Sequence, residues 1–232
     1  MFDRTEPGDD PLVASSEAAS RALSATALEQ ASVGRVYEKI ASVYDVLFGP
    51  ALHAGRRQAI DRMAIKPGDR VLEVGVGTGI NAPLYPRSCQ VTGIDFSASM
   101  LEKARERVAR LGLDHIRLVE MDAADLKFPD ESFDIVFACY LMTVVPDPVR
   151  VAAEMRRVCR RGGRVVVLNH FLSTNRGLAR LERAISPLAA RLMGFKTDFD
   201  LQAFLAQAGL APVTVEKVNI PRIFSVVTWA RK

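Results

Sequence analysis

The sequence is poor in cysteine, in aromatic residues and in long apolar runs, and these shortages close off several classes of protein. Three cysteines among 232 residues, Cys89, Cys139 and Cys159, include no Cys-x-x-Cys pair. A disulfide framework or a zinc cluster is therefore not expected, and a reducing cytoplasm suits the chain. No run approaches the ~18–20 uninterrupted apolar residues that a spanning helix needs, so no membrane crossing is expected. The N-terminus lacks the basic segment and apolar stretch of a secretory signal. Charge of neither sign dominates: 31 Lys and Arg against 27 Asp and Glu leave +4, too mild an excess to imply nucleic acid by itself. What is present is ordinary for a globular chain, 49% apolar and 25% charged residues, which excludes disorder throughout.

Residues 1–20 read as a disordered, polar and acidic tail, with Asp3, Glu6, Asp9, Asp10 and Glu17 set among Pro, Gly and Ser. Residues 21–64 read as N-terminal helices. Val33, Val36, Tyr37, Ile40, Tyr44 and Leu47 recur at spacings of three and four; Gly49-Pro50 ends that stripe, and a second helix runs to about Met63. From residue 65 onward short apolar runs alternate with amphipathic segments. Strands are expected at Arg70–Gly75, Gln90–Ile94, Ile116–Glu120, Phe133–Ala138 and Arg164–His170, with helices over Ser97–Leu111, Pro148–Cys159 and Asp198–Ala208. Two last strands, Val213–Val218 and Ile223–Trp229, follow with a tight connection at Asn219–Arg222. This order predicts an α/β sandwich around a mostly parallel seven-stranded sheet, closed by an antiparallel C-terminal hairpin.

The most informative stretch is Leu72-Glu73-Val74-Gly75-Val76-Gly77-Thr78-Gly79, which follows a strand and is expected to precede a helix. Its glycines allow a tight turn and let a ligand approach the main chain. About twenty residues later the next strand ends in Gly93-Ile94-Asp95, where an acid can accept hydrogen bonds from ribose hydroxyls. The spacing is Gly-x-Gly-x-Gly, whereas a dinucleotide fingerprint needs Gly-x-Gly-x-x-Gly and a helix N-terminus for the pyrophosphate. Glu73 just before the loop suits a cationic ligand better than a diphosphate. No Walker-type Gly-Lys-Ser/Thr is present.

This arrangement resembles motif I of the class I S-adenosylmethionine (SAM) methyltransferases, with a Rossmann-like sandwich as the implied fold. The resemblance covers roughly residues 65–232. It includes Glu73 with the loop, Asp95, Asp122 after the third strand, and the apolar fourth strand introduced by Phe128-Pro129-Asp130-Glu131-Ser132-Phe133-Asp134. It implies SAM as cofactor and S-adenosylhomocysteine as product. Gly75, Gly77 and Gly79 would then lie beside the methionine part, with Glu73 at the same site. Asp95 would hold the ribose, and Asp122 with the backbone at Ala123 the adenine. Phe96 and Met100 are candidates to pack on the adenine, or core residues. Asp125 and Asp134 read as turn or capping residues.

Acceptor choice is expected outside the cofactor core. Tyr37 and Tyr44, seven apart on one helix face, and Tyr140, just past the fourth strand, could form an aromatic wall that attracts an ammonium group; the first two could equally be packing residues. Asn169 and His170 end the fifth strand and are expected to point into the cleft of the open sheet, His170 as a base or a donor to an anion. The insertion 172–196 carries apolar Leu178, Leu181, Ile185, Leu188 and Leu192 at helical spacing. Its Arg176, Arg180, Arg183, Arg191 and Lys196 stand against Glu182 alone. Such a helix reads as a membrane-surface element or as a solvated cover on the sheet.

Taken together, the Tyr-Asp helix, the Gly-Val-Gly-Thr-Gly loop, the Asn-His-Phe strand end and the basic insertion look like the Rhodobacter-type bacterial phosphatidylethanolamine N-methyltransferases. The match spans about residues 33–232. The resemblance implies an enzyme that N-methylates a phospholipid headgroup and works on the inner face of the membrane from the cytoplasm, with Asn169, His170, Arg176 and Lys196 as candidates for the lipid phosphate. No metal and no nucleic acid are expected, and a monomer is. The Tyr-Asp helix also occurs in quinone-biosynthesis C-methyltransferases, so a quinone precursor or another small molecule remains an alternative acceptor, and a SAM-sensing module without catalysis a further one.

Overall fold

The protein is described by a computed structural model that covers residues 52–193, 196–210, 213–218 and 224–231. Helix α1 spans residues 52–62. The sheet comprises β1 (Arg70–Val74), β2 (Gln90–Asp95), β3 (Ile116–Glu120), β4 (Phe133–Cys139), β5 (Cys159–His170), β6 (Val213–Val218) and β7 (Phe224–Ala230). Helices α2 (Ala98–Arg110), α3 (Pro148–Val158), α4 (Arg176–Met193) and α5 (Leu201–Ala208) lie between them. The strand order is β3-β2-β1-β4-β5-β7-β6. The first five strands pair in parallel, and β7 runs antiparallel to both β5 and β6. The order reverses between β1 and β4, which is where an open α/β sheet offers a ligand crevice at the carboxyl ends of its strands.

Both faces of the sheet are covered, so its central strands are apolar throughout. Leu72, Val74, Val136, Ala138, Val165 and Val167 face α3 and α5 in one core. Their sequence neighbours Val71, Ile135, Phe137, Val166 and Leu168 face the other side, where Ala59 and Ile60 of α1 and Met63 just after it join them. The end of the expected N-terminal helical region therefore shares the sheet's core. Ser97 caps α2, accepting from the Met100 N–H at 3.4 Å. Asp147 and Asp200 cap α3 and α5 in the same way.

Two features depart from the expectations above, and the order of the last two strands adds what they left open. The glycine loop leads into one 3-10 turn, Ala82–Leu84, and no α-helix. Pro83 starts that turn, and Pro86 holds Tyr85 extended at φ −76° and ψ 136°, so the helix cannot propagate. The C-terminal pair is antiparallel as expected, but β7 inserts between β5 and β6, leaving β6 at the edge. Asp134 is no turn residue: from within β4 it accepts the Arg70 N–H at 2.8 Å and pairs with Arg160, tying the starts of three neighbouring strands. Asp125 pairs with Lys127 on the surface. Tyr37, Tyr44, the acidic tail, the helix stripe before residue 52 and the Asn219–Arg222 connection lie outside the described residues.

Candidate active site

At the carboxyl end of β1 the chain turns through Gly75, Gly77 and Gly79, all with positive φ. Their missing side chains serve different ends. A Cβ on Gly75 would strike Leu141, and one on Gly79 would press on the backbone and side chain of Ala104 in α2, whereas one on Gly77 would meet nothing within 4 Å. Gly77 alone of the three opens onto space. Arg107 of α2 donates to the Thr78 carbonyl at 2.7 Å and fixes the loop from behind.

Asp95 ends β2 beside this loop. Its carboxylate accepts the Gly77 N–H at 2.8 Å and the Ser97 N–H at 2.9 Å. Burial raises its pKa above the ordinary carboxylate value, and those N–H bonds oppose the rise. The Asp95 carbonyl accepts the Met121 N–H at 3.0 Å, which brings the end of β3 alongside. Asp122 follows there, its carboxylate shaping the turn by accepting the Ala124 N–H at 2.8 Å, with Ala123 between them half-buried. Phe96 is 58% exposed at the mouth of this crevice, while Met100 is buried in the first turn of α2.

Glu73 lies beneath the loop. It sits on the α1 side of the sheet and is 1% exposed. Asn81 Nδ2 donates to it at 2.5 Å and the Tyr85 hydroxyl at 2.8 Å, so its direct work is to brace the loop and the turn that follows. Burial pushes its pKa up to about 7 against the opposing pull of Tyr85, Asn81 and Arg56. Arg56 of α1 continues the chain of contacts, donating to Asn81 Oδ1 at 3.1 Å and to Cys139 Sγ at 3.4 Å. Nothing in the sequence marks Asn81, Tyr85 and Arg56 as site residues, because no spacing rule links residues 8, 12 and 17 positions away from Glu73.

On the other side of the switch point, β4 is followed directly by Tyr140 at φ +57°, a costly conformation for a bulky residue. Its ring meets Phe224 edge-on at 5.3 Å and carries the Arg56 guanidinium at 5.0 Å. The ring expected to attract a ligand cation thus already holds one of the protein's own. His170 packs on the same Phe224, ring centroids 5.9 Å apart, so the structure brings Tyr140 and His170 together around one aromatic residue. Asn169 does not join them. Successive strand residues point to opposite faces, and Asn169 is buried with its amide donating to Thr143 Oγ1 at 3.2 Å. It is therefore removed from the group expected to hold a phosphate.

The insertion forms α4, oriented in a way that its sequence left open. Ala179, Glu182, Ser186 and Ala189 are buried, while Leu178, Leu181, Ile185 and Leu188 are 44%, 57%, 43% and 60% exposed. After α4 the chain doubles back: Thr197 donates through its hydroxyl to the Glu182 carbonyl at 2.6 Å and through its N–H to Ser186 Oγ at 3.2 Å. This return carries Lys196, exposed, to the middle of the helix, its N–H on the Thr143 carbonyl at 3.2 Å. Arg176 is exposed at the start of α4, roughly 9 Å along the axis from Glu182 at 1.5 Å per residue.

A family model described as "Methyltransferase domain" matches residues 72–167. The chain is 42% identical over 206 residues to a phosphatidylethanolamine N-methyltransferase of Cereibacter sphaeroides, covering 88% of this chain and all of that one. It is 31% identical to a ubiquinone/menaquinone biosynthesis C-methyltransferase of Hahella chejuensis, over 76% of this chain and 74% of that one. Among solved structures, a SAM-dependent methyltransferase of Thermotoga maritima, described as a possible histamine N-methyltransferase, superposes with a TM-score of 0.65. It has 22% identity and covers 85% of this chain and 99% of that one. The chain belongs to the class I SAM-dependent methyltransferases.

The residues of this methyltransferase fit that cofactor. Gly77 leaves open the space beside the loop, and two carboxylates, Asp95 and Asp122, stand at neighbouring strand ends where hydroxyl and amino groups need acceptors. The single 3-10 turn after the loop supplies too little aligned dipole to favour a diphosphate, in keeping with a cationic sulfonium ligand. Among the described residues no group of three or more His, Cys, Asp and Glu side chains is arranged to hold a metal ion.

Proposed function

We propose that this methyltransferase N-methylates phosphatidylethanolamine, and its mono- and dimethyl derivatives, towards phosphatidylcholine at the surface of a membrane. The observation that carries the reading is the outward apolar row of α4, which begins within eight residues of His170 at the cleft. A helix that only covers a sheet turns its leucines inward; α4 turns them to solvent. The similarity to the Cereibacter enzyme, over that enzyme's whole length, points to the same acceptor.

Taking 100° per residue, the row Leu178, Leu181, Ile185 and Leu188 lies about 100° round the helix from the buried row. Arg191 and Arg180 stand nearest to the apolar row, and Arg176 and Arg183 lie almost opposite to it. The apolar row would sink into the headgroup boundary while Arg180 and Arg191 extend to lipid phosphates. No helix among the described residues is long and apolar enough to cross a membrane; the docking proposed is peripheral, on the inner leaflet.

SAM, when bound, would supply a sulfonium methyl group whose C–S bond breaks as the N–C bond forms, with S-adenosylhomocysteine as the leaving group. The protein's part is positioning and proton removal. Asp95 and Asp122 fix the cofactor, and the glycine loop excludes side chains from its path. His170 takes a proton from the substrate ammonium, leaving the lone pair that forms the new N–C bond. Lys196, exposed on the return segment beside α4, holds the lipid phosphate, whereas Arg176 faces away from the apolar row.

Expression in a bacterium that lacks phosphatidylcholine, followed by mass spectrometry of its lipids, tests the reading. Mono-, di- or trimethylated phosphatidylethanolamine is expected. Unchanged phospholipids together with newly methylated quinone precursors would overturn it in favour of the C-methyltransferase alternative, which the Hahella relative represents.

A further inference from the structure

We propose that Glu182, on the buried side of α4, is a positioning residue for His170, so that the seating of α4 on lipid is read in the cleft. The inference rests on the lipid reading above for what α4 touches; the contact between Glu182 and His170 stands by itself. Glu182 Oε1 lies 3.4 Å from His170 Nε2, and its Oε2 accepts the Ser173 N–H at 2.7 Å. Both side chains are largely enclosed, 10% and 17% exposed.

The inner row of α4 is an unusual one on which to mount a covering helix. Ala179 and Ala189 give little area, and Glu182 and Ser186 must find partners or be left desolvated. Each finds a directional one. Glu182 takes His170 and Ser173, its carbonyl takes Thr197, and the Ser186 hydroxyl donates to Asp198 Oδ1 at 2.6 Å. A helix fastened by short polar contacts instead of an interdigitated apolar seam depends on their geometry, and a shift of an ångström would break the 3.4 Å pair. Leu181, exposed, and Glu182, buried, are adjacent in sequence. What presses on the first is transmitted by one residue to the second, and from there to the ring at the end of β5.

The test uses the full chain and the side-chain NMR signals of its three histidines, His53, His115 and His170, assigned with His170→Ala. Glu182→Gln keeps the shape and an acceptor for the Ser173 N–H; it should move the His170 signals and leave those of His53 and His115 in place. Isotropic bicelles containing anionic lipid should shift the His170 signals of the native protein, but not those of Glu182→Gln or of Leu181→Asp/Leu188→Asp. On phosphatidylethanolamine vesicles His170→Ala should lower kcat about a hundredfold. Glu182→Ala should cost a large part of that, and the double variant no more than the worse single one, with the Kd for SAM within about twofold throughout.

Additive losses in the double variant, or His170 signals unmoved by Glu182→Gln, would overturn the proposal, as would signals unmoved in the native protein by anionic bicelles. If the native protein methylates no phospholipid, the lipid reading fails, while the response of His170 to Glu182→Gln still judges the pairing.

Discussion

The two halves of the cleft are built by opposite means. The cofactor half, from β1 to the turn after β3, is made from main chain and short-range contacts. Gly77 and Ser97 N–H groups hold Asp95, Ala124 N–H holds Asp122, and Glu73 braces residues 8 and 12 positions further on. The acceptor half joins pieces far apart in the chain. Tyr140 meets Arg56 and Phe224, and His170 meets Phe224. A pocket shared by every reaction of a family can be written in local sequence. A pocket that chooses the acceptor is assembled from side chains of separate elements, where substitution alters one contact at a time.

The largest effect expected is on the cofactor half. Gly77→Val puts a branched side chain into the ligand's space at a positive φ, and should reduce SAM affinity by roughly a hundredfold or more in calorimetry. Asp95→Ala, which removes two charge-assisted bonds, should cost roughly 1.5–3 kcal/mol or somewhat more. If either variant bound SAM with native affinity, the division between the halves would fail at its base.

Glu73 offers a sharper test because it works through stability. Its pKa rises from 4.5 to about 7 on burial, so between these values the folded state holds a proton that the unfolded chain has released. The contribution of this group to stability is therefore present in full below pH 4.5 and falls as pH rises through 7, by roughly 3 kcal/mol at most. Glu73→Gln removes that slope. In urea unfolding its stability relative to the native protein should improve from pH 5 to about pH 7 and then level off, and a pH-independent difference would show that the carboxyl is not held protonated.

On the acceptor half, Leu181→Asp/Leu188→Asp should weaken binding to anionic vesicles by roughly 2–3 kcal/mol with SAM affinity untouched. Arg180→Glu and Arg191→Glu each change the charge by two and should each remove about 2 kcal/mol, in a salt-dependent way, and Arg183→Glu distinctly less. Equal losses from all three arginines would contradict the orientation of α4. Smallest is Tyr140→Phe, which removes a 3.4 Å bond to the Leu52 carbonyl and should change stability by no more than about 0.5 kcal/mol. Tyr140→Ala should lower turnover on lipid while leaving SAM binding close to native.

The sequence by itself determined the alternation of strands and helices, the glycine loop and the two acids at strand ends, because each is a local pattern with a local physical cause. A glycine is favoured where φ is positive, an acid where a strand ends at a crevice, a serine where a helix begins. It also carried the apolar row of the insertion, but not the direction in which that row faces. Leu181 and Glu182 are neighbours whichever way the helix rolls, and only packing against β5 and residues 196–198 decides that the glutamate goes inward. The same holds for Glu73, whose burial follows from standing on the α1 side of β1, and for Asn169 and His170, which one strand sends to opposite faces. Arg56 reaches Tyr140 across 84 positions of sequence because α1 lies against the carboxyl end of β4. Such contacts have no periodicity in the chain, since they arise from the relative placement of elements, and that placement is settled by the whole core at once.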